Sequence, residues 1–381
     1  MNVFSVLVDQ DEVIKVLTAA AFESKKEFKS GQKMTNSWLF TGPAGSGRSN
    51  SAIAFAAALV CPNNGCADCA DCNSIATGSH ADVEIVRTEG LSIKVDEIRD
   101  LMIRASWAPS VANYRVIVIE DADRLTDSAA NALLKIIEEP GLRTIWLLCA
   151  PTIADVLPTI RSRCRHLLLR MPSKNTIAKL LIERDHINQE LATSVARVSQ
   201  GHIGIAKHLA FSEKSRNNRL ELLKLIPTLK NLNSAYKAAE ILLTFAKNQA
   251  EADIESNNEF ELAKLKQFWG STGSKLAIGG AKAVKELEKQ QKVKTTRQIR
   301  DYIDRALLDL ASFYRDVLLS QSELSSHFIN TELSKEILKM SNEVPRVKIL
   351  LKIESILRAR SNLARNAAPL LTMEALMCEL L

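Results

Sequence analysis

The fold of this chain is decided by one short stretch, Gly42-Pro43-Ala44-Gly45-Ser46-Gly47-Arg48-Ser49. It follows an apolar run at residues 38–41 and precedes an alanine-rich segment with the pattern of a helix. The stretch has the form G-x-x-x-x-G-K-[ST] of a phosphate-binding loop at every position except the lysine. Its glycines allow backbone N–H groups to turn inward around an anion, and the helix N-terminus adds its positive dipole end. We therefore predict a phosphate loop between a strand and a helix.

An arginine at the lysine position argues against fast ATP hydrolysis. Arg48 keeps the positive charge, but a planar guanidinium cannot replace a compact ammonium between the β and γ phosphates without displacement. Ser49 is placed to be a magnesium ligand. We expect a degenerate nucleotide site, with weak or absent binding of ATP and Mg²⁺ and little or no intrinsic ATPase activity. Its candidate residues are Gly42, Gly45, Gly47, Arg48, Ser49, Glu120 and Asp121.

The two acids in that set follow a second apolar run, residues 115–119. Phosphate-loop ATPases end this strand in Asp-Glu, whereas Glu120 and Asp121 stand in the reverse order. One carboxylate can still reach magnesium through water, but the side chain that would orient the attacking water is a methylene short. The alternative is that the acids only solvate the end of a strand.

Short β-rich runs alternate with helical patterns from Trp38 to about Leu169. Several runs are apolar throughout, as expected for strands that are buried on both faces of a parallel sheet. This pattern predicts an α/β domain with helices on both sides. After Pro172 the strand signals stop, and helical patterns follow, for example at 176–183, 188–199 and 215–225. The predicted strands are 38–41, 82–86, 115–119, 144–150 and 165–169.

Four of the seven cysteines lie within a dozen residues. Thiolates spaced by four, two and two residues can close a tetrahedron around Zn²⁺ and leave no position for water, which predicts a structural and not a catalytic site. A chance cluster or four buried core cysteines are the alternatives. The candidate metal ligands are Cys61, Cys66, Cys69 and Cys72.

The composition sets wider limits. The chain has 381 residues, is 46% hydrophobic and carries a net charge of +6, which permits contact with nucleic acid but does not argue for it. The N-terminus has no basic segment leading into an apolar run, and the most apolar stretch, 52–61, is about half the length that spans a bilayer. We expect a soluble, cytoplasmic protein without a membrane contact.

Charge is segregated in the C-terminal half. Residues 251–261 contain five acids and no bases, whereas residues 264–297 contain nine bases and two acids, with Gly270, Gly273, Gly279 and Gly280 among them. The favoured interpretation is a solvated, partly flexible hairpin of charged helices. An arm that binds nucleic acid or a protein partner is the alternative.

Several segments together resemble the clamp-loader branch of the AAA+ family. Ser162-Arg163-Cys164 is similar to that family's Ser-Arg-Cys motif, and residues 131–140 resemble its Asn-Ala-Leu-Leu-Lys-x-Leu-Glu-Glu-Pro helix. The cysteines at 61–72 stand where bacterial clamp-loader subunits insert a zinc module, although the first spacing is shorter here. Val8-Asp9-Gln10 resembles the Val-Gly-Gln segment that opens the family's first domain. The resemblance covers roughly residues 3–210.

The resemblance implies a role for Arg163. In the family, the arginine of this motif reaches across to the nucleotide held by the neighbouring subunit. The chain departs from the motor subunits at two further points, with Cys149-Ala150-Pro151 in place of a sensing threonine and Gly201-His202-Ile203-Gly204 in place of a sensing arginine. This combination resembles a subunit that completes a neighbour's active site. An ATP-hydrolysing motor subunit and a zinc-containing DNA-binding module are the alternatives.

The resemblance also implies an architecture and partners. We expect an AAA+ nucleotide-binding-like domain at 1–171 with its zinc module at 61–72, a helical lid at 172–211 and a helical collar at 212–381. Amphipathic stretches at 299–319 and 346–363 would supply apolar faces for a ring, or bury only each other. The implied partners are motor ATPase and other clamp-loader subunits in a hetero-oligomeric ring, with the sliding clamp and primed DNA reached through that complex, as part of a replicative DNA polymerase.

Overall fold

The computed structural model describes residues 2–30, 35–88, 90–141, 143–268, 271–272, 275–276, 280–324 and 327–381. The chain divides into two compact units, Met1–Ala210 and Phe211–Leu381. The first unit is built on a parallel sheet, and the second consists mainly of helices. Among the described residues, none of the helices combines the length and the apolar character that crossing a membrane requires.

The sheet of the first unit is parallel throughout, as predicted. Its strand order is β2-β3-β4-β1-β5. Each strand lies within one residue of its predicted bounds at either end. The strands are β1 (Ser37–Thr41), β2 (Val83–Val86), β3 (Arg115–Ile119), β4 (Thr144–Ala150) and β5 (Arg165–Leu168).

The three central strands are buried on both faces, which explains their unbroken apolar runs. Successive side chains alternate between the faces, so Phe40 packs in one core cluster and Leu39 in the other. Trp38 makes an edge contact with Phe55, with ring centroids 4.9 Å apart. Helices α1 (Asp11–Ser30) and α2 (Arg48–Val60) cover the first face, while α4 (Val95–Ala105) and α5 (Asp127–Glu138) cover the second; the short α3 (Ala70–Ala76) follows α2.

The carboxyl ends of three adjacent strands meet at one edge of the sheet. Phe40 in β1 is in register with Cys149 in β4, and Ile119 in β3 is in register with Leu148. The segments that follow β1, β3 and β4 therefore lie side by side. This edge is where open α/β sheets bind their ligands.

Helical segments complete the first unit. The short α6 (Pro158–Arg161) precedes β5, and α7 (Lys174–Asp185), α8 (Gln189–Val198) and α9 (Ile203–Phe211) follow it. The side chains of Ser173 and Asn188 accept from backbone N–H groups in the first turns of α7 and α8. These caps explain why both helices begin close to where the sequence predicts them.

The second unit packs its helices around one apolar core, which includes Leu242, Leu307, Phe313 and Ile356. One detail differs from the prediction that strands stop after Pro172: a two-residue antiparallel pair, β6 (Ser271–Thr272) and β7 (Lys275–Leu276), lies between the two longest helices. Strands this short leave no periodic pattern in a sequence. The helices are α10 (Glu213–Lys224), α11 (Leu232–Phe268), α12 (Gly280–Ser320), α13 (Ser334–Glu343), α14 (Arg346–Ala364) and α15 (Pro369–Glu379).

The charged segment singled out in the sequence falls on these two longest helices. Residues 251–261 lie in α11, and the bases from Lys282 to Arg297 lie in α12, which Gly280 begins. Gly270, Gly273 and Gly279 lie outside the described residues. The predicted hairpin of charged helices is therefore present in its helical parts.

Candidate functional site

The backbone of residues 42–49 keeps the shape of a phosphate loop. Gly45 and Gly47 have φ angles of +88° and +90°, which side-chain-bearing residues rarely adopt, and Gly47 caps α2. A Cβ atom on Gly45 would lie 2.6 Å from Cγ of His202 at the start of α9. The glycine therefore serves a packing role, because the loop lies directly beneath a residue of the helical segment.

Arg48 does not point away from the loop. Its Nη1 donates a hydrogen bond to the carbonyl oxygen of Gly42, over 2.5 Å. The guanidinium is therefore held by the loop's own backbone, whereas the usual lysine reaches the phosphates as a compact charge. The backbone fits a phosphate, but the cationic side chain does not fit the role that hydrolysis requires of it.

The two predicted acids lie at the same edge of the sheet as Arg48. Glu120 is mostly buried and accepts from Nε of Arg87 over 3.1 Å. Burial raises the pKa of Cys149 in β4, and the charges of Arg48, Glu120 and Asp121 all act on its thiol. The structure thus places Arg48, Glu120 and Asp121 near the buried Cys149 at this edge of the sheet.

Two residues of the N-terminal segment make contacts that the sequence did not predict: Gln10 with the phosphate loop, and Asp9 with the start of α7. The buried Gln10 side chain donates to the carbonyl oxygens of Ser46 and Arg170, over 3.3 and 2.6 Å. Asp9 has a φ of +57°, and its carboxylate accepts from the N–H of Ser173 and the hydroxyl of Thr176. The resemblance to Val-Gly-Gln was the available signal, because glycine is the residue that a positive φ favours.

The four predicted metal ligands converge at the other end of α2. Their sulfur atoms all lie within 4.8 Å of one another, with Cys61 Sγ 3.7 Å from Cys66 Sγ and 3.6 Å from Cys69 Sγ. These distances exceed a disulfide bond and match the separation of about 3.8 Å that a tetrahedral Zn–S₄ centre with 2.3 Å bonds requires. The donor set therefore fits a structural zinc ion.

Backbone N–H groups point at these sulfurs. Those of Asn63 and Cys66 donate to Cys61 Sγ over 3.3 and 3.5 Å, and that of Cys69 donates to Cys66 Sγ over 3.4 Å. Hydrogen bonds from the backbone of Asp68 and Cys69 lower the pKa of the Cys66 thiol to about 6. Such bonds stabilise thiolates, the form in which cysteine binds a metal.

Contacts with two other segments hold this cysteine cluster in place. The ammonium group of Lys25 in α1 donates to the carbonyl oxygens of Cys61 and Pro62, over 2.5 and 3.1 Å. The N–H of Val3 donates to the carbonyl oxygen of Gly65, over 2.9 Å. The cluster is thereby tied to both the N-terminal segment and α1.

Arg163 lies on the surface in a turn between α6 and β5. Its Nη1 donates to the carbonyl oxygen of Thr159 and to the hydroxyl of Ser162, over 3.0 and 3.2 Å. Its Nη2 lies 2.7 Å from a carboxylate oxygen of Glu138 at the end of α5. The side chain is 41% exposed, so it is supported in one orientation and still accessible from outside.

The structure separates the three alternating arginines that the sequence left equivalent. Arg161 ends α6 and is exposed, while Arg165 lies in β5 with its guanidinium carbon 4.8 Å from the ring centroid of Trp38. Between them Cys164 points inward, and burial raises the pKa of its thiol to about 12. Cys164 thus anchors the turn that presents Arg163.

Sequence comparisons find similarity to subunits of DNA polymerase III. Residues 18–173 match the family model described as DNA polymerase III, delta subunit. DNA polymerase III subunit delta′ of Bacillus subtilis is 30% identical over 200 residues, covering 52% of this chain and 60% of its own length. The delta′ subunit of Pseudomonas aeruginosa is 36% identical over 135 residues, covering 34% and 41%. The gamma/tau subunit of Mycobacterium bovis is 33% identical over 183 residues, covering 47% and 30%.

The sheet order, with a phosphate loop after β1, acids after β3 and helices after β5, defines the P-loop AAA+ class. By sequence, the first unit is similar to the delta-prime, gamma and tau subunits of DNA polymerase III. The chain spans less than two thirds of the length of each relative named above.

Proposed function

We propose that this chain acts as the delta-prime subunit of a DNA polymerase III clamp loader, without ATPase activity of its own. It supplies Arg163 in trans to the nucleotide site of a neighbouring motor subunit. The proposal rests on a difference between two arginines. Arg48 is hydrogen-bonded to its own loop, whereas Arg163 is held in place at the surface.

An arginine held in this way suits transition-state stabilisation. The contacts from Thr159, Ser162 and Glu138 leave part of the guanidinium fork available to an incoming group. A guanidinium supplied by a neighbouring chain stabilises the charge that develops on the transferring phosphoryl group, and such arginines are worth about 10³-fold or more in rate. The Arg163 fork is pre-organised, so less entropy is lost on engagement.

The proposed architecture assigns the remaining parts. Residues 1–171 form the AAA+ domain, 172–211 the helical lid and 212–381 a collar that packs against motor ATPase and delta subunits in a ring. Exposed apolar side chains on α14, including Val347, Leu351 and Leu357, support a collar interface. Zn²⁺ held by the four cysteines stabilises the first domain. The sliding clamp and primed DNA are reached through the complex, in the cytoplasm.

The alternative role as a motor subunit is tested with the isolated chain. Because Arg48 is committed to Gly42 and a buried thiol stands in the sensing position, we expect ATP hydrolysis at background level. Steady-state turnover that disappears in Ser49→Ala would assign the motor role instead. Weak nucleotide binding without turnover is compatible with the proposal.

The proposed role of Arg163 is tested in the reconstituted complex. Arg163→Ala should leave the chain folded and assembled, because its contacts are at the surface. The DNA- and clamp-stimulated ATPase should fall by about an order of magnitude or more, since one interfacial site loses its cation. Arg163→Lys should rescue poorly, because an ammonium cannot reproduce the forked donor geometry.

Arg161→Ala is the matched control, since this arginine is exposed two residues away. Arg165→Ala is less suitable for comparison, because it also removes the contact with Trp38. Equal losses of ATPase activity in Arg161→Ala and Arg163→Ala would identify a generic basic edge and overturn the proposal.

A further inference from the structure

The distal parts of α11 and α12, residues 251–268 and 280–298, form a helical arm that the proposed function does not use. The apolar core of the second unit draws on α11 no further than Ala246 and on α12 only from Ile299 onward. The α12 portion of the arm is about 27 Å long at 1.5 Å per residue. The arm therefore extends beyond the core that stabilises its base.

One side of α12 faces the other helix of the arm. The side-chain amide of Gln291 donates to the carbonyl oxygen of Asn258 in α11, over 3.1 Å. Val284 and Leu287 are half-buried at the preceding positions of the same face. The spacing of three and four residues is that of a helix seam.

The other side of α12 carries a stripe of lysines. At 100° per residue, the four lysines fall within a sector of about 80° that is turned away from Gln291. All four are exposed. We call them the lysine stripe: Lys282, Lys285, Lys289 and Lys292.

In the part of the chain that the structure describes, the stripe shows none of the ion pairs that lysines form elsewhere on its helices. Lys179 and Lys339, for example, lie 3.8 and 3.9 Å from carboxylates one turn away. Glu286 and Glu288 flank the stripe, but among the described residues no lysine of the stripe lies within 4.0 Å of a carboxylate. Four neighbouring like charges form a surface that a polyanion would stabilise.

We propose that the lysine stripe binds the phosphate backbone of DNA without reading sequence. The choice of DNA rests on the proposed role in loading clamps onto primed DNA. The stripe spans eleven residues, a rise of about 15 Å, which corresponds to about four phosphates along one strand. Lysine is a compact point charge that contacts phosphates without the bidentate geometry of base recognition.

The test is a titration of a fluorescent primed duplex with the full chain at several salt concentrations. Replacement of all four lysines, K282Q/K285Q/K289Q/K292Q, should reduce the slope of log affinity against log salt by about 2 to 3.5, at about 0.9 per phosphate contact. Affinity at about 50 mM salt should fall at least tenfold. The corresponding Lys→Arg variant should bind nearly as well as the unmodified chain.

A matched control removes the same charge from other exposed lysines of the second unit, as K214Q/K224Q/K335Q/K339Q. The proposal is overturned if this control loses as much affinity, if the stripe variant keeps its salt slope, or if the unmodified chain binds no DNA at about 50 mM salt. Unchanged DNA binding with weaker assembly would assign the stripe to an acidic protein surface. The result is separable from the proposed function, because the Arg163→Ala assay measures ATPase activity of the complex, whereas this titration uses the free chain.

Discussion

The two ends of α2 carry different sites: one has all its ligands, and the other lacks the usual cation. At its C-terminal end the cysteine cluster keeps all four ligands that a structural zinc ion needs, with sulfurs that all lie within 4.8 Å of one another. At its N-terminal end the phosphate loop keeps its glycines, but Arg48 is bonded to the loop itself. A backbone shape can therefore persist for packing without the usual phosphate-binding lysine, whereas a metal site needs its complete ligand set.

The largest effect is expected from removing one cysteine ligand at the C-terminal end of α2. The purified chain should contain about one equivalent of Zn²⁺. Cys69→Ser should lose this ion, because the three remaining thiolates leave one position of the tetrahedron open. Metal analysis measures the loss, and hydrogen exchange should reveal loosening of residues 61–72. Cys378→Ser, outside the cluster, is the control and should keep its metal. Absence of zinc from the carefully prepared unmodified chain would contradict the prediction.

A pair of glycine substitutions tests whether packing against His202 maintains the shape of the phosphate loop. Both Gly45→Ala and Gly47→Ala place a side chain at positive φ, at a cost of about 1–2 kcal/mol. Only Gly45→Ala also overlaps His202, whereas a Cβ on Gly47 meets nothing within 4 Å. We expect Gly45→Ala to lower the free energy of local opening by about 1–3 kcal/mol more than Gly47→Ala does.

The measurement is the free energy of local opening of α9, taken from native-state hydrogen exchange. Gly47→Ala is the matched control, because it shares the backbone strain without the overlap. Equal protection of α9 in the two variants would mean that the loop shape does not depend on its contact with His202.

A smaller effect on zinc affinity is expected at Lys25, which lies in α1 and contacts the cysteine cluster. Lys25→Met removes two hydrogen bonds to carbonyl oxygens and a positive charge that interacts with Cys61 and Cys72. Partners outside the ligand set typically contribute at least about tenfold in metal affinity, so zinc transfer to a chelator should become about tenfold more favourable. Lys25→Arg should be milder, and the exposed Lys15→Met is the control. Unchanged affinity in Lys25→Met would restrict Lys25 to a packing role.

Restoring the consensus lysine should have the smallest effect. Arg48→Lys returns the compact ammonium, but Cys149 still occupies the sensing position and Gly204 still stands where an arginine is expected. We therefore expect ATP turnover by the isolated chain to stay at background in a coupled assay. A clear gain of turnover would mean that Arg48 alone disables this end of α2.

Much of the fold was predictable because local chemistry dictated it. Continuous apolar runs identified β1, β3 and β4, since these three strands are buried on both faces of the sheet. The cysteine spacing identified the candidate metal ligands, because residues so close in sequence must also be close in space. The pair β6 and β7 escaped prediction because two residues carry no period.

The sequence indicated which residues belong to the candidate site, but not how their side chains are oriented. The resemblance singled out Arg163 from its neighbours, but sequence could not show that Glu138 holds it or that Trp38 engages Arg165. These contacts join residues distant along the chain, and they depend on where the sheet places its helices.

The strand pattern, the phosphate loop and the cysteine cluster can be read from the chain alone, since each is encoded within a few consecutive residues. The direction of each cation depends on the folded chain: Arg48 points toward the Gly42 carbonyl, Lys25 toward Cys61, and the lysine stripe away from α11. The physical reason is that a charged side chain has several low-energy rotamers, and the chosen one depends on partners and on burial that the fold supplies.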